Sequence, residues 1–225
     1  MKLEDTLKGG YGGLYGEVVT CDMYHLKQVE FVPDLVIDIG ANIGVFSRFA
    51  RTLWPAARII AVEPDPDNIR VFEEFTHDAN TELLKCAMGK GVAYHGLNAC
   101  NGSGETYLSP GLGYSKEGLD ARGDVLASSV PTRSLQDIIK AYWKPGLKTV
   151  VKIDCEGAEN TIWLDVEAMS LLHQMDYLAI ELHYYSLTGA EQEEVKSVTN
   201  AALKSLEATH VCELEHVYFW ATKRS

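Results

Sequence analysis

The run Leu35-Val36-Ile37-Asp38-Ile39-Gly40-Ala41-Asn42-Ile43-Gly44 constrains this chain more than any other stretch. A short apolar segment ends in an acid and two glycines and passes directly into helix-forming sequence. Such a segment reads as a strand buried on both faces, the kind a parallel sheet contains. The glycines allow a tight turn and a close approach of backbone to ligand, and the helix that follows begins with free N–H groups. A second apolar run, Arg58 to Val62, ends in another acid, Glu63. Acids at the carboxyl ends of neighbouring strands are the layout of an α/β fold that holds a nucleotide-like cofactor there.

Strand and helix signals alternate from residue 35 onward. A helix over residues 44–53 places Val45, Phe46, Phe49, Ala50 and Leu53 on one face and stops at Pro55. Asp65 is positioned to cap a helix with Pro66 in its first position, burying Ile69, Phe72 and Phe75. Further strands are expected at 82–87, 149–153 and 177–182. Ser134-Leu135-Gln136-Asp137 and Thr188 with Glu191 read as capping boxes. The second opens a helix with Val195, Val198, Ala202 and Leu206 inward. Another helix is expected over 158–172, burying Ile162, Trp163, Val166 and Met169. Residues 210–214 and 217–221 read as strands joined by a tight turn at Glu215-His216, which forces an antiparallel pair.

Two regions break the rhythm. Residues 1–32 include the glycine-rich Lys8 to Gly16, read as a flexible lead-in that is part of the domain or packed on it. The alternative is a flap in which Tyr11 or Tyr15 stacks on a ligand. Residues 92–97 and 105–108 suggest a hairpin. The glycines between Asn98 and Gly123 mark an insertion near 98–124, where substrate contacts are expected. The expected fold is a Rossmann-like, seven-stranded, mostly parallel sheet with an antiparallel C-terminal hairpin and helices on both faces. It forms one domain over residues 33–225.

The 225 residues carry a formal net charge of −12, which argues against a nucleic-acid partner. No apolar run approaches the roughly 20 residues of a membrane span, and the start of the chain has no signal-peptide pattern. The expectation is a cytoplasmic protein without a membrane partner. Five cysteines in odd number, with no Cys-x-x-Cys pair, point to small buried thiols rather than a disulfide framework or zinc site.

The spacing Asp38-x-Gly40-x-x-x-Gly44 is not the dinucleotide fingerprint G-x-G-x-x-G. An acid at Asp38 would repel a pyrophosphate. It suits a cationic ligand, such as the amino-acid end or sulfonium region of S-adenosylmethionine, while Glu63 is placed for ribose hydroxyls. The adenine pocket is expected around Cys86-Ala87-Met88, by position alone. An NAD-linked oxidoreductase on a similar sheet is the alternative, and a non-catalytic protein that binds S-adenosylmethionine is another.

Val36 to Gly44, Ala61-Val62-Glu63-Pro64 and Val151-Lys152-Ile153-Asp154-Cys155-Glu156-Gly157-Ala158-Glu159 together resemble the signatures of the FkbM-type methyltransferases, as do Ile180-Glu181-Leu182-His183 in order and spacing. The resemblance covers about residues 35–185. It implies a class I S-adenosylmethionine-dependent fold, S-adenosylhomocysteine as product, and O-methylation of hydroxyls on sugars or polyketide-like molecules. It also implies that Asp38, Gly40 and Asn42 line the methionine end of the cofactor and that Glu63 binds the ribose.

The candidate catalytic residues are Asp154, Glu156, His183 and Lys152. The candidate cofactor residues are Asp38, Gly40, Asn42, Gly44, Glu63 and Ala87. A carboxylate just past a central strand can take or orient an acceptor proton. His183 is the expected general base near neutral pH. Lys152 stands in an apolar strand and needs a buried partner, Asp154 or a neighbouring carboxylate, unless it reaches substrate. Glu159 reads as a helix-surface acid. His183, Asp154 and Glu181 could together hold a divalent metal, although none is required by the expected chemistry. An Asn/Asp-Pro-Pro-Tyr motif of amino-group methyltransferases is absent; Ile153-Asp154-Cys155-Glu156 stands there instead.

Overall fold

The computed structural model describes residues 11–76, 78–89, 93–96, 108–109, 126–183 and 189–224. Twelve strands are present among them. They are β1 Leu35–Ile39, β2 Arg58–Val62, β3 Thr81–Leu84, β4 Ala87–Met88, β5 Ala93–Gly96, β6 Leu108–Ser109, β7 Leu126–Val130, β8 Thr132–Arg133, β9 Thr149–Ile153, β10 Tyr177–Glu181, β11 His210–Glu215 and β12 Tyr218–Lys223.

Seven of them form the main sheet, in the order β11-β12-β10-β9-β1-β2-β3. Pairings from β10 to β3 are parallel, and β12 runs antiparallel to both β10 and β11. The chain steps from β1 toward β3 in one direction and from β9 toward β10 in the other. The reversal puts the crevice at the carboxyl ends of β1 and β9.

Alternation along the strands divides the core. Leu35, Ile37, Ile39, Val151, Ile153, Leu178 and Ile180 pack under the helices Leu135–Tyr142, Val166–Leu172 and Gly189–Leu206. Val36, Ile59, Val150 and Ala179 face the other way, against Phe46, Phe49 and Trp54 and against Val18, Tyr24 and Leu26 of the N-terminal segment. The helices Val45–Leu53 and Pro66–Phe75 arise as their sequences dictate. In the second, Asp65 accepts from the N–H groups of Asp67 and Asn68, with Pro66 in the first turn.

Several local expectations change. The strand expected at 82–87 is divided into β3 and β4, and β4 leaves the main sheet to pair with β8. The helix expected over 158–172 is two pieces: a 3-10 turn at Ala158–Thr161 and a helix at Val166–Leu172. Asp165 caps the second piece with its carboxylate, so Val166 sits in its first turn and is 85% exposed rather than buried. The C-terminal turn falls one residue later than expected, after Glu215. Residues 12–20 are helical and Val18 is buried, while residues 1–10 of the expected lead-in lie outside the described residues. The β5–β6 pairing is the expected hairpin in part, with β7 as a third strand. Most of the glycine-rich insertion, and Thr188 of the second capping box, lie outside the described residues. Cys21 is exposed and Cys155 and Cys212 are half-buried, against the expectation of buried thiols; Cys86 is buried, and all four are free.

Candidate active site

Strand register builds the centre of the site. In the parallel pairing of β1 with β9, Asp38 lies opposite Lys152, so both side chains point to the same face of the sheet. The Lys152 ammonium donates to the Gly40 carbonyl at 2.6 Å and lies 3.3 Å from Asp38 and 3.1 Å from Asp154. Burial alone would discharge Lys152, but the two carboxylates overcome it and hold the ammonium well above its ordinary range. Burial raises the Asp38 carboxyl despite Lys152 and a 2.6 Å bond from Ser47. Asp38 is 0% exposed and Lys152 is 3% exposed. Asp38 therefore pairs with Lys152, and Lys152 holds the Gly40 carbonyl and Asp154 from within the sheet.

The turn after β1 is shaped by two close approaches. Gly40 has φ +76°, and a Cβ there would lie 1.7 Å from the Asp154 carbonyl oxygen. Gly44 has φ +85°, and its Cβ would lie 2.6 Å from the Phe72 ring. Gly40 and Ala41 both donate to Val62 O at 2.9 Å. Asn42, at φ 51°, donates its N–H to Glu63 at 2.7 Å. Glu63 also accepts from Asp65 N at 2.8 Å. Burial pushes its carboxyl up to about 7 against the two backbone N–H bonds. The structure thus brings Gly40, Asn42, Gly44 and Glu63 together as one turn at the ends of β1 and β2. Ala87 is fully buried, with its N–H on Pro131 O. It offers no exposed side chain to an adenine ring.

At the ends of β9 and β10 lies a second group. His183 is 3% exposed, and its Nε2 is 3.6 Å from Asp154, 3.6 Å from Glu156 and 3.7 Å from Glu181. Glu159 accepts from His183 N at 2.7 Å, lies 3.0 Å from Nδ1, and also accepts from Gly157 N at 2.9 Å. Glu159 is 0% exposed, a correction to its reading as a surface acid: the 3-10 turn folds it inward.

Charge follows from this crowding. Burial alone would depress His183, but Glu159, Asp154 and Glu156 raise it to about 10. Burial works against a charged Asp154, yet Lys152, His183 and a Tyr24 hydrogen bond hold it below the usual carboxylate range. Burial and the neighbouring Asp154 push Glu181 up to about 7. The surrounding carboxylates therefore favour the protonated form of His183. Ligand atoms of Asp154, Glu156 and His183 all lie within 4.8 Å of one another, so this trio could hold a divalent cation once His183 gives up its proton.

The residues that sequence reasoning missed are Tyr24 and Glu159. Tyr24 is 4% exposed, and its hydroxyl donates to Asp154 at 2.8 Å and to Glu181 at 3.3 Å. It lies 130 residues from Asp154, in a segment with no periodic pattern, so no local signal marks it. Glu159 carried a signal in its spacing from Asp154 and Glu156 on one short turn.

Comparison with known proteins agrees with this fold. Residues 38–193 match the methyltransferase FkbM domain. Methyltransferase sdnD of Sordaria araneosa is 29% identical over 182 residues, 68% of either chain. The 31-O-demethyl-FK506 methyltransferase FkbM of Streptomyces tacrolimicus is 44% identical over 54 residues, 24% of this chain and 21% of the relative. A solved structure from Clostridium thermocellum, described as that of a proposed rRNA-methylase, aligns with a TM-score of 0.50 at 12% identity. It covers 92% of this chain and 96% of that one, a likeness of fold alone. On the family match and the sheet that carries it, the chain belongs to the FkbM methyltransferase domain family.

Proposed function

We propose that this protein transfers the methyl group of S-adenosylmethionine to a hydroxyl oxygen of a small molecule or sugar. The observation that carries the reading is the convergence of Asp154, Glu156, Glu181 and His183 at the ends of β9 and β10, beside the Gly40 turn of β1. The turn fits the cofactor: a glycine with no room for a Cβ, and the buried Glu63 carboxylate at the end of the next strand as a ribose acceptor.

When bound, S-adenosylmethionine supplies an electrophilic methyl group on a sulfonium. The protein's part is to hold the acceptor oxygen in line with it, which makes a bimolecular step effectively unimolecular. An alcohol oxygen becomes strongly acidic as it gains the methyl carbon, so a carboxylate suffices to take its proton. Glu181, raised to about 7, is the base nearest to that task. The His183 imidazolium, held by Glu159, keeps the surrounding carboxylates paired. The name of the Streptomyces tacrolimicus relative includes an O-methylated position, which supports an oxygen acceptor. The net charge of −12 makes a phosphate backbone or an anionic membrane an unfavourable partner. No helix among the described residues is long and apolar enough to cross a membrane.

The test is incubation with methyl-tritiated S-adenosylmethionine and a panel of methyl glycosides, 31-O-demethyl-FK506 and matched primary amines. Label in hydroxylated acceptors, reduced by Glu181→Gln, is the expected result. Label confined to the amines would overturn it.

A further inference from the structure

We propose that Tyr24 is a positioning residue of the transfer site, its hydroxyl tying the Asp154 and Glu181 carboxylates together so that both face the acceptor. The inference rests on the methyltransferase reading above and extends it to a segment that precedes the family-matched residues.

The segment is anchored on both sides of Tyr24. Asp22 accepts from Leu26 N at 3.0 Å and from Lys27 N at 3.1 Å, closing the chain into a tight turn. Asp22 and His25 have φ of 54° and 51°, so the turn is set with left-handed residues on either side of Tyr24. The Met23 carbonyl accepts from Trp220 Nε1 at 3.0 Å, and the Tyr24 carbonyl accepts from the Tyr177 hydroxyl at 3.0 Å. The His25 ring stacks on Trp220 with centroids 3.8 Å apart. Backbone held this firmly leaves the Tyr24 side chain little choice of direction. Its ring meets Phe46 edge-on at 5.4 Å and Tyr218 at 6.1 Å.

Two carboxylates from adjacent strands repel each other, and a buried pair must be given donors or lose charge. The Tyr24 hydroxyl shares its one proton between them, 2.8 Å from Asp154 and 3.3 Å from Glu181. Burial, Asp154 and Glu181 together raise it well above its ordinary range, so it keeps its proton. Tyr218, on β12, lies directly opposite Glu181 in the antiparallel register. The groups facing Glu181 are thus Asp154, His183, Lys152, Tyr24 and Tyr218. Tyr24 alone of the two tyrosines bonds both carboxylates among the described contacts.

Tyr24→Phe tests this, because it keeps the ring packing and removes only the hydroxyl. Crystal structures of wild type and variant with S-adenosylhomocysteine, calorimetry with the same compound, and kinetics on the panel acceptor that wild type methylates fastest form one experiment. The expected result is cofactor-product affinity within about twofold of wild type, Asp154 and Glu181 carboxylates displaced from each other, and kcat lower by roughly ten- to a hundredfold with acceptor KM little changed. Carboxylates that stay in place, or wild-type kcat, would overturn the role of Tyr24 while leaving the methyltransferase reading intact. Failure of the wild type to bind S-adenosylhomocysteine would instead defeat the cofactor assignment, and the carboxylate positions would still judge Tyr24.

Discussion

Glu159 takes both the backbone N–H and the ring Nδ1 of His183, at 2.7 and 3.0 Å, from a position with no solvent exposure. The ring is thereby fixed, and Nε2 is aimed at three other carboxylates. Removing one partner of a buried pair strands the other, at a cost of about 3 kcal/mol or more. Glu159→Ala should therefore lower stability by that order in urea unfolding at pH 7. The His183 pKa is raised above its ordinary 6.5 to about 10 in the folded state. Its stabilisation is present in full below about 6.5 and is lost as pH rises through about 10. The gap between wild type and variant should narrow over that window. A gap that stays constant from pH 6 to pH 10 would contradict the pairing.

Lys152 neutralises two carboxylates from within the sheet. Lys152→Met leaves Asp38 with Ser47 and Asp154 with His183 and Tyr24, so both carboxylates shift toward their protonated forms. The variant should be close to wild type near pH 4 and lose ground steadily toward pH 7, by several kcal/mol in order of magnitude. Thermal unfolding at the two pH values measures this. Equal losses at both would mean that packing, not charge, is what Lys152 contributes.

Gly40→Ala should be far more damaging than Gly44→Ala. The first forces a Cβ to within 1.7 Å of a backbone carbonyl, and the second meets a Phe72 ring that can turn aside. A loss above about 3 kcal/mol, or failure to fold, is expected for the first. Phe72→Leu should restore part of the second and none of the first, in the same denaturant titrations.

Glu63 has its folded pKa raised from 4.5 to about 7. Between those values the folded state binds more protons than the unfolded state, so stability falls as pH rises through the window. A rise of that size corresponds to about 3 kcal/mol. Glu63→Gln should flatten the pH profile between 4.5 and 7. An unchanged profile would show that another group carries the dependence.

The sheet was legible because its strands are apolar runs bounded by acids, glycines and caps. The periodicity of Leu35–Ile39, Thr149–Ile153 and Tyr177–Glu181 determines which side chains face which layer, and chain order with one short C-terminal turn determines the antiparallel end. The turn residues Gly40, Asn42, Gly44 and Glu63 were legible for the same reason. Charge pairing was less so. That Lys152 meets Asp38 follows from parallel register, which a lone strand does not reveal. His183 was found by its place after β10, but its proton depends on Glu159, whose burial arises from a 3-10 turn read as a continuous helix. Tyr24 was out of reach, because its partner is distant in sequence and its segment lacks any repeat.

The central claim is tested most directly by calorimetric titration of the protein with S-adenosylhomocysteine, with NAD and the Glu63→Ala variant alongside. The prediction is a Kd on the order of 1 μM for S-adenosylhomocysteine, weakened at least about tenfold by the substitution, and no heat with NAD. Binding of NAD, or of S-adenosylhomocysteine with equal strength to both proteins, would contradict the assignment of this strand-end crevice as an S-adenosylmethionine site.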